Sequence, residues 1–444
     1  MNKVSASLRA WVGGPRPLIG SNPFLRNLGS MGAAQIATRV SRLAATLALS
    51  RILTPGDFGL AAIVLTTYEL VAVFTRNGIG AKVVQASDGE VGAVAETAYW
   101  MTWAVCILLA VAQVVVAAPI AWVFHDDRLF VPIALMSAIY LVTPLMAIQY
   151  AFQQREGRLG RVAFASAAQV ITDNILTAIL ALCGLGMWAI ILPKLLVAPI
   201  FLVLVRRGHA WRPAKWRSFE AAFHGWREIT HFSAHVLGVE LMTTFQANVD
   251  NLFVGLFLGV QALGMYYFAF NAGLGITLGL VNAFGGAIYS HLCQARGDGL
   301  AMTRRYDESV KRVGWIVAPL VLLQTLLAPI YVPLVFGAKW TPAIPVLMLI
   351  CLSALARPFA SAASQLLRAV GRPAIELRWQ TNLTLALTAA LLVASQFNVL
   401  AVAFAVFVVQ TVFLSAFFFI APKPFLVRGP VLSVGAACAE TPHG

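Results

Sequence analysis

Charge is scarce in this chain. Only 11% of its 444 residues are Asp, Glu, Lys or Arg, while 59% are hydrophobic and the mean hydropathy is +0.80. A soluble domain carries roughly 25% charged residues, and no stretch of ordinary mixed polarity is left over to form one. The five cysteines, Cys106, Cys183, Cys293, Cys351 and Cys438, fall in or beside apolar runs with no paired or metal-like spacing, so they offer no disulfide framework. Residues 1–24 hold Lys3, Arg9 and Arg16 among Gly and Pro but lack the apolar core of a signal peptide. The first apolar run therefore reads as a retained helix that starts on the cytoplasmic side.

Apolar runs of about 20 residues, enough to cross a bilayer, recur along nearly the whole chain. They specify a polytopic helical bundle rather than a barrel of short alternating strands. Breaks at Gly, Pro and charge predict helices near 25–52, 58–76, 98–123, 129–152, 162–183, 185–206, 230–257, 262–290, 312–337, 341–367, 374–396 and 398–421. The net charge of +14 would suggest a nucleic-acid partner in a soluble protein, but here the basic residues sit between apolar runs and no nucleic acid is expected. Of 32 Lys and Arg, 25 fall on the side shared by the N-terminus, residues 206–230, residues 293–312 and the C-terminus; only Arg51, Arg128 and Lys339 fall opposite. Positive residues mark the cytoplasmic side, so both termini are expected there.

The longest basic linker, RGHAWRPAKWRSFEAAFHGWREI (207–229), puts Trp216, Phe219, Phe223 and Trp226 on one helical face, the pattern of a helix lying in the cytoplasmic interface. It divides the chain into an N-terminal segment (1–24), six helices (25–206), six more (230–421) and a tail (422–444). The halves carry a faint repeat. At an offset of 205 residues LSRILTPGDFGL (49–60) aligns with VGLFLGVQALGM (254–265), matching Leu53 with Leu258 and Gly59 with Gly264; further on Gly80 matches Gly285. An even number of helices per half keeps their orientation the same, so the expected fold is an all-α polytopic membrane protein of about 12 transmembrane helices, in two six-helix halves related by a parallel pseudo-two-fold along the membrane normal.

Eight charged residues fall inside helices: Arg39, Arg42, Lys194 and Arg357, with Glu69, Asp173, Glu240 and Asp250. A charge at the bilayer centre costs about 2.5–3.5 kcal/mol, so these should face a wet or protein-lined interior. Gln35, Arg39, Arg42 and Thr46 recur at helical spacing on one face, and Glu240, Thr243, Gln246 and Asp250 do the same on the seventh helix. Two readings stay open. The residues form a cationic cavity for an anionic substrate, with Gln35, Arg39, Arg42, Lys194 and Arg357 binding it and Glu69, Asp173, Glu240 and Asp250 available for ion coupling; or they are internal salt bridges, Arg39 or Arg42 with Glu69. Guanidinium forks match phosphate oxygens, and buried ion pairs rarely improve on apolar packing, which favours the first. His125–Asp127 lies in a short outer loop, and His231 and His235 lack a third ligand, so no metal site and no cofactor is expected.

LALSRILTPGDFGLAAI with the following NGIGAKVVQ, and NVDNLFVGLFLGVQALGMYYFA in the second half, resemble the polysaccharide-synthesis transporter family, the Wzx-type oligosaccharide flippases of the multidrug/oligosaccharidyl-lipid/polysaccharide superfamily. The family's pattern of Arg-x-Leu, Pro, acid and Gly falls here on Arg51, Leu53, Pro55, Asp57 and Gly59; its Asp and Leu-Gly-x-Tyr fall on Asp250, Leu263, Gly264 and Tyr266. The resemblance implies a non-enzymatic flippase that carries undecaprenyl-diphosphate-linked oligosaccharide across a bacterial inner membrane, with membrane lipids around it and glycan polymerase and export proteins as pathway partners. Many members have fourteen helices, and here a weak run, PFLVRGPVLSVGAACAE, follows the twelfth. A cation-coupled drug extruder of the same superfamily remains an alternative, as does a polytopic glycan polymerase or ligase, which would carry a sizeable outer loop.

The basic asymmetry predicts that epitope tags after residue 215 or 300 are cytoplasmic and tags near 127 or 338 periplasmic. Protection of a tag at 300 from cytoplasmic reagents would overturn the helix count.

Overall fold

The computed structural model describes residues 23–76, 78–213, 226–295 and 299–427. Most of the interfacial stretch expected within 207–229, together with residues 1–22 and 428–444 of the two terminal segments, lies outside them. Among the described residues all regular structure is helical. In the first half the helices are α1 (Pro23–Ile52), α2 (Pro55–Ala72), α3 (Ile79–Gln85), α4 (Val91–Val123), α5 (Phe130–Leu135), α6 (Ala138–Val142), α7 (Pro144–Arg155), α8 (Leu159–Leu182) and α9 (Trp188–Gly208). Then come α10 (Trp226–Cys293), α11 (Gly299–Tyr331), α12 (Ile344–Ser353), α13 (Arg357–Ala369), α14 (Pro373–Ala394) and α15 (Val399–Ile420).

Eight helical stretches among the described residues are long and apolar enough to cross a membrane, nine if Asp127–Val142 and Pro144–Arg155, bent by 50°, form one span. Leu108, Trp122, Leu182, Trp315 and Leu326 are each more than two-thirds exposed, a surface that suits lipid and not water. This is a multi-pass membrane protein. α1, which carries Arg39 and Arg42, is not among them, and α10 supplies one of the eight, Val236–Gly273.

The proof that α10 doubles back is a single bond. Tyr266 Oη donates to Asp250 Oδ2 at 2.6 Å, yet residues so far apart on a straight helix would be separated by about 24 Å. The reversal is at Gly259, whose φ of 83° and ψ of 176° interrupt the helix; only glycine adopts that conformation without strain.

The turn from α1 to α2 is set by side chains. Thr54 accepts from the Asp57 N–H at 3.2 Å while Asp57 Oδ2 accepts from the Thr54 N–H at 3.0 Å, a reciprocal capping box, with Pro55 opening α2. One turn later α2 meets the second limb of α10 with no side chains between them. A Cβ at Gly59 would overlap the Val260 carbonyl, and a Cβ at Gly264 would overlap the Pro55 carbonyl. The contact is reciprocal at the offset of 205 found in the sequence, since 55 corresponds to 260 and 59 to 264. Beside it Trp340 stacks on Phe268 at 3.9 Å and meets Phe58 edge-on at 5.0 Å, and Phe336 closes on Phe268 at 5.3 Å.

Because the obstacle at each glycine is main chain, which cannot rotate away, Gly264→Ala should destabilise the fold by about 1–3 kcal/mol. Gly238→Ala, with nothing within 4 Å of its new methyl, should be neutral. Thermal unfolding of the two variants in detergent, followed by size-exclusion chromatography, checks the contrast.

Candidate functional site

Polar side chains from both halves of the chain gather around Tyr267 on the second limb of α10. Its phenol is within electrostatic reach of Arg42 on α1, Glu69 on α2 and Asp173 on α8, and its main-chain carbonyl accepts from Asn271 Nδ2 at 2.9 Å. Arg42, within α1, and Glu69, in the last turn of α2, are both exposed. Arg39, one turn before Arg42, is half-buried. α1 and α8 are joined here by Asn174 Nδ2, which donates to Ser41 Oγ at 2.9 Å.

Each acid inside the helices takes a distinct partner. Glu69 accepts from Asn248 Nδ2 at 3.0 Å, a bond from one half of the chain to the other, and Asn248 also donates to the Thr244 carbonyl at 3.0 Å. Asp173 Oδ2 accepts from Lys194 Nζ at 2.5 Å, while the second oxygen of Asp173 is buried with no hydrogen bond. Glu240 lies 3.9 Å from Arg76, both partly exposed. Asp250 is 6% exposed; besides the Tyr266 hydroxyl it accepts from the Asn251 N–H at 2.9 Å. Arg357 is buried close enough to Asp250 and Tyr266 to interact with their charges, and its Nη2 donates to Gln410 Oε1 at 2.8 Å.

The residues singled out in the sequence thus divide. Arg42, Glu69 and Asp173 come together, with Lys194 attached through Asp173. Arg357 and Asp250 sit in a separate cluster of α10, α13 and α15, and Glu240, midway along α10's first limb, lies with Arg76. The side chain of Gln35 lies outside the described residues, as do those of His231 and His235. Asn248, Tyr267 and Gln410 were not singled out. The one signal for Asn248 was indirect: Glu69 needed a partner, and the nearest polar stripe, on the seventh helix, passes beside it.

The His125–Asp127 loop is committed to structure. Arg128 donates to Asp126 through its backbone N–H at 3.0 Å, through Nε at 2.9 Å and through Nη2 at 2.7 Å. These bonds hold the Asp126 carboxyl below the usual carboxylate range. Among the described residues no three His, Cys, Asp or Glu are arranged to hold a metal ion.

Comparison with known proteins bears on this arrangement. Residues 48–345 match the family model described as "Polysaccharide biosynthesis protein". The chain belongs to the polysaccharide biosynthesis protein family. Relatives include the succinoglycan biosynthesis transport protein ExoT of Rhizobium meliloti (strain 1021), 23% identical over 84% of this chain and 75% of its own length. The lipopolysaccharide biosynthesis protein WzxC of Escherichia coli (strain K12) is 24% identical over 85% of this chain and 76% of its own. The fold is that of the lipid II flippase MurJ in an inward closed conformation, with a TM-score of 0.75, 11% identity, and 88% of this chain and 86% of that one covered. It is also that of an inward-facing MATE multidrug resistance transporter of the MOP superfamily, with a TM-score of 0.70, 13% identity, and 87% and 94% covered. The stretch shared with the polysaccharide biosynthesis family contains Glu69, Asp173, Lys194, Asn248 and Tyr267; Arg39 and Arg42 precede it.

Asp173 is well buried and Lys194 partly exposed, at 13% and 38% of their side chains, so solvent screens part of their attraction. A double-mutant cycle of Asp173→Asn and Lys194→Met should show a coupling of about 1 kcal/mol in unfolding free energy, the double variant being less destabilised than the two singles together. Simple additivity would mean the pair does not act as a unit.

Proposed function

We propose that this protein is an alternating-access flippase for undecaprenyl-diphosphate-linked oligosaccharide repeat units in the synthesis of exopolysaccharide, capsule or O-antigen. On this reading it lies in a bacterial inner membrane, with both termini cytoplasmic and the Pro55 end of the bundle facing the periplasm. Residues 25–206 and 230–421 are two six-helix halves related by a parallel pseudo-two-fold, and 207–229 is their interfacial linker. The reciprocal fit of Gly59 on Val260 and Gly264 on Pro55 supports that symmetry, because a two-fold contact repeats itself with the partners exchanged. The transport named for ExoT, the lipopolysaccharide biosynthesis named for WzxC and the lipid II flippase named for MurJ support the transport of a lipid-linked glycan. Polymerase and export proteins are its proposed partners in the pathway.

The observation that carries the reading is Arg42, an exposed guanidinium in the middle of α1, within electrostatic reach of Tyr267 in the other half. A pyrophosphate would offset the cost of that charge and accept its paired N–H donors. Glu69, held by a neutral amide, and Asp173 stand beside it and are the proposed sites of any ion coupling. Asp250, enclosed with Tyr266 and Arg357, has less freedom to exchange a cation.

A drug or cation extruder is the second reading, favoured by the carboxylates of Glu69 and Asp173 around an aromatic ring and by the MATE-like fold. It assigns no task to Arg42. A glycan polymerase or ligase is disfavoured by the short connections at the Pro55 end, such as residues 124–129 between α4 and α5.

Arg42→Ala should insert and express normally yet lower polysaccharide export about 10- to 100-fold, the value of one or two charge-assisted hydrogen bonds. Arg42→Lys should restore only part, since an ammonium keeps the charge and loses the fork. Deleting the gene should trap lipid-linked oligosaccharide on the cytoplasmic leaflet. Wild-type export by Arg42→Ala would remove the pyrophosphate assignment.

A further inference from the structure

The capping box that starts α2 leaves three carbonyls, two in the last turn of α1 and one just past it, without helical donors. A helical C=O accepts from the N–H four residues on. For Ser50 that donor is Thr54, whose N–H is taken by Asp57 Oδ2. For Arg51 it is Pro55, which has no N–H. For Leu53 it is Asp57, whose N–H goes to Thr54 Oγ1.

Donors from the second half of the chain fill all three places. Trp340 Nε1 donates to the Ser50 carbonyl at 2.8 Å, and Lys339 Nζ donates to the carbonyls of Arg51 at 3.0 Å and Leu53 at 2.6 Å. The exchange is mutual. The helical turn 332–336 after α11 ends at Gly337 with φ 108°, and Arg51 donates through Nε to the Val335 carbonyl at 2.7 Å and through Nη2 to that of Leu334. Each half thus caps a helix terminus of the other. The rings of Phe58, Phe268, Phe336 and Trp340 pack beneath these bonds and exclude water.

Among the described residues, the halves touch more lightly at the opposite end of the bundle. There the contacts include the half-exposed pair of Arg76 and Glu240 at 3.9 Å and the packing of Val236 against Gly78. Arg51 and Lys339 are themselves exposed. Water can therefore replace each of their bonds at small net cost, so the lock can open without stranding a charge.

We propose that Arg51, Lys339 and Trp340 form the periplasmic gate of the transport pathway, donors that must release five main-chain carbonyls before the halves can part at the Pro55 end. Their advantage over the contacts at the other end biases the resting protein toward opening to the cytoplasm, where substrate is loaded. The proposal rests on the alternating-access reading and its orientation.

Side-specific labelling tests it. In a background with the five cysteines replaced by serine, a single cysteine at Thr46, one turn beyond Arg42 on the same helix, reports access to the space between the halves. A membrane-impermeant maleimide is added to spheroplasts for the periplasmic side and to inside-out vesicles for the cytoplasmic side. Arg51→Ala with Lys339→Met should raise periplasmic labelling about tenfold, from the loss of charge-assisted bonds, and lower cytoplasmic labelling. Lys339→Met alone, at an exposed position, should do the same to a smaller extent and keeps the test usable if the double variant folds poorly. Labelling that rises from both sides indicates a loosened fold, and labelling unchanged from both sides indicates idle contacts; either overturns the gate. Trapping of lipid-linked oligosaccharide in the deletion strain is read separately, so a failure of the flippase reading is distinguishable from a failure of the gate.

Discussion

The crossing of α2 with the second limb of α10 is the contact on which the other inter-half features depend. It is made through main chain, with the Pro55 and Val260 carbonyls occupying the space where side chains would stand at Gly264 and Gly59. Such close approach brings Phe58 against Phe268 and Trp340. Further along α2 it sets Glu69 within reach of Tyr267 on the second limb and beside Asn248 on the first. Moving α2 outward by the width of one methyl group would loosen the ring cluster and the Glu69 bond together, because helices are stiff and interiors have little slack.

With that frame in place the intramembrane charges fall into two kinds. Asp250 lies near Arg357, and Asp173 pairs with Lys194, each inside one half. Glu69 instead reaches the second half through Asn248, and Arg42 lies within electrostatic reach of Tyr267 there. A bundle held together by ion pairs alone would have joined these two, and instead Glu69 takes a neutral amide. On the proposed reading the positive charge of Arg42 is thereby left for the substrate's anion. The basic residues at the Pro55 end are used just as fully: Arg128 closes its own loop on Asp126, while Arg51 and Lys339 bridge the halves.

Much of the architecture was legible in the sequence because bilayer length and apolar composition leave few choices. The break between α1 and α2 at Thr54, the reversal near Gly259 and the correspondence of Gly59 with Gly264 all carry local signals: a capping residue before proline, a glycine, a repeat. The partners of the charges were less legible. Asp250 and Arg357 lie on helices far apart in the chain, as do Glu69 and Asn248, and a helical face tells where a side chain points without telling what waits there. Arg42 was found because a guanidinium in an apolar run is conspicuous. Tyr267 was missed because a tyrosine between Tyr266 and Phe268 looks like one more core aromatic.

The acceptors between the halves at the Pro55 end are all backbone oxygens, and backbone oxygens leave no letter in a sequence. Any residue at positions 50, 53, 334 or 335 presents the same carbonyl. Only the donors at 51, 339 and 340, with the Thr-Pro-Gly-Asp turn that empties the carbonyls, constrain the choice of amino acid. Two proteins could therefore share this joint in full while agreeing at a handful of scattered positions, which is the kind of relationship that identities near one residue in four describe. Pairwise co-variation across the joint would be faint for the same reason, since one member of every pair is free to drift.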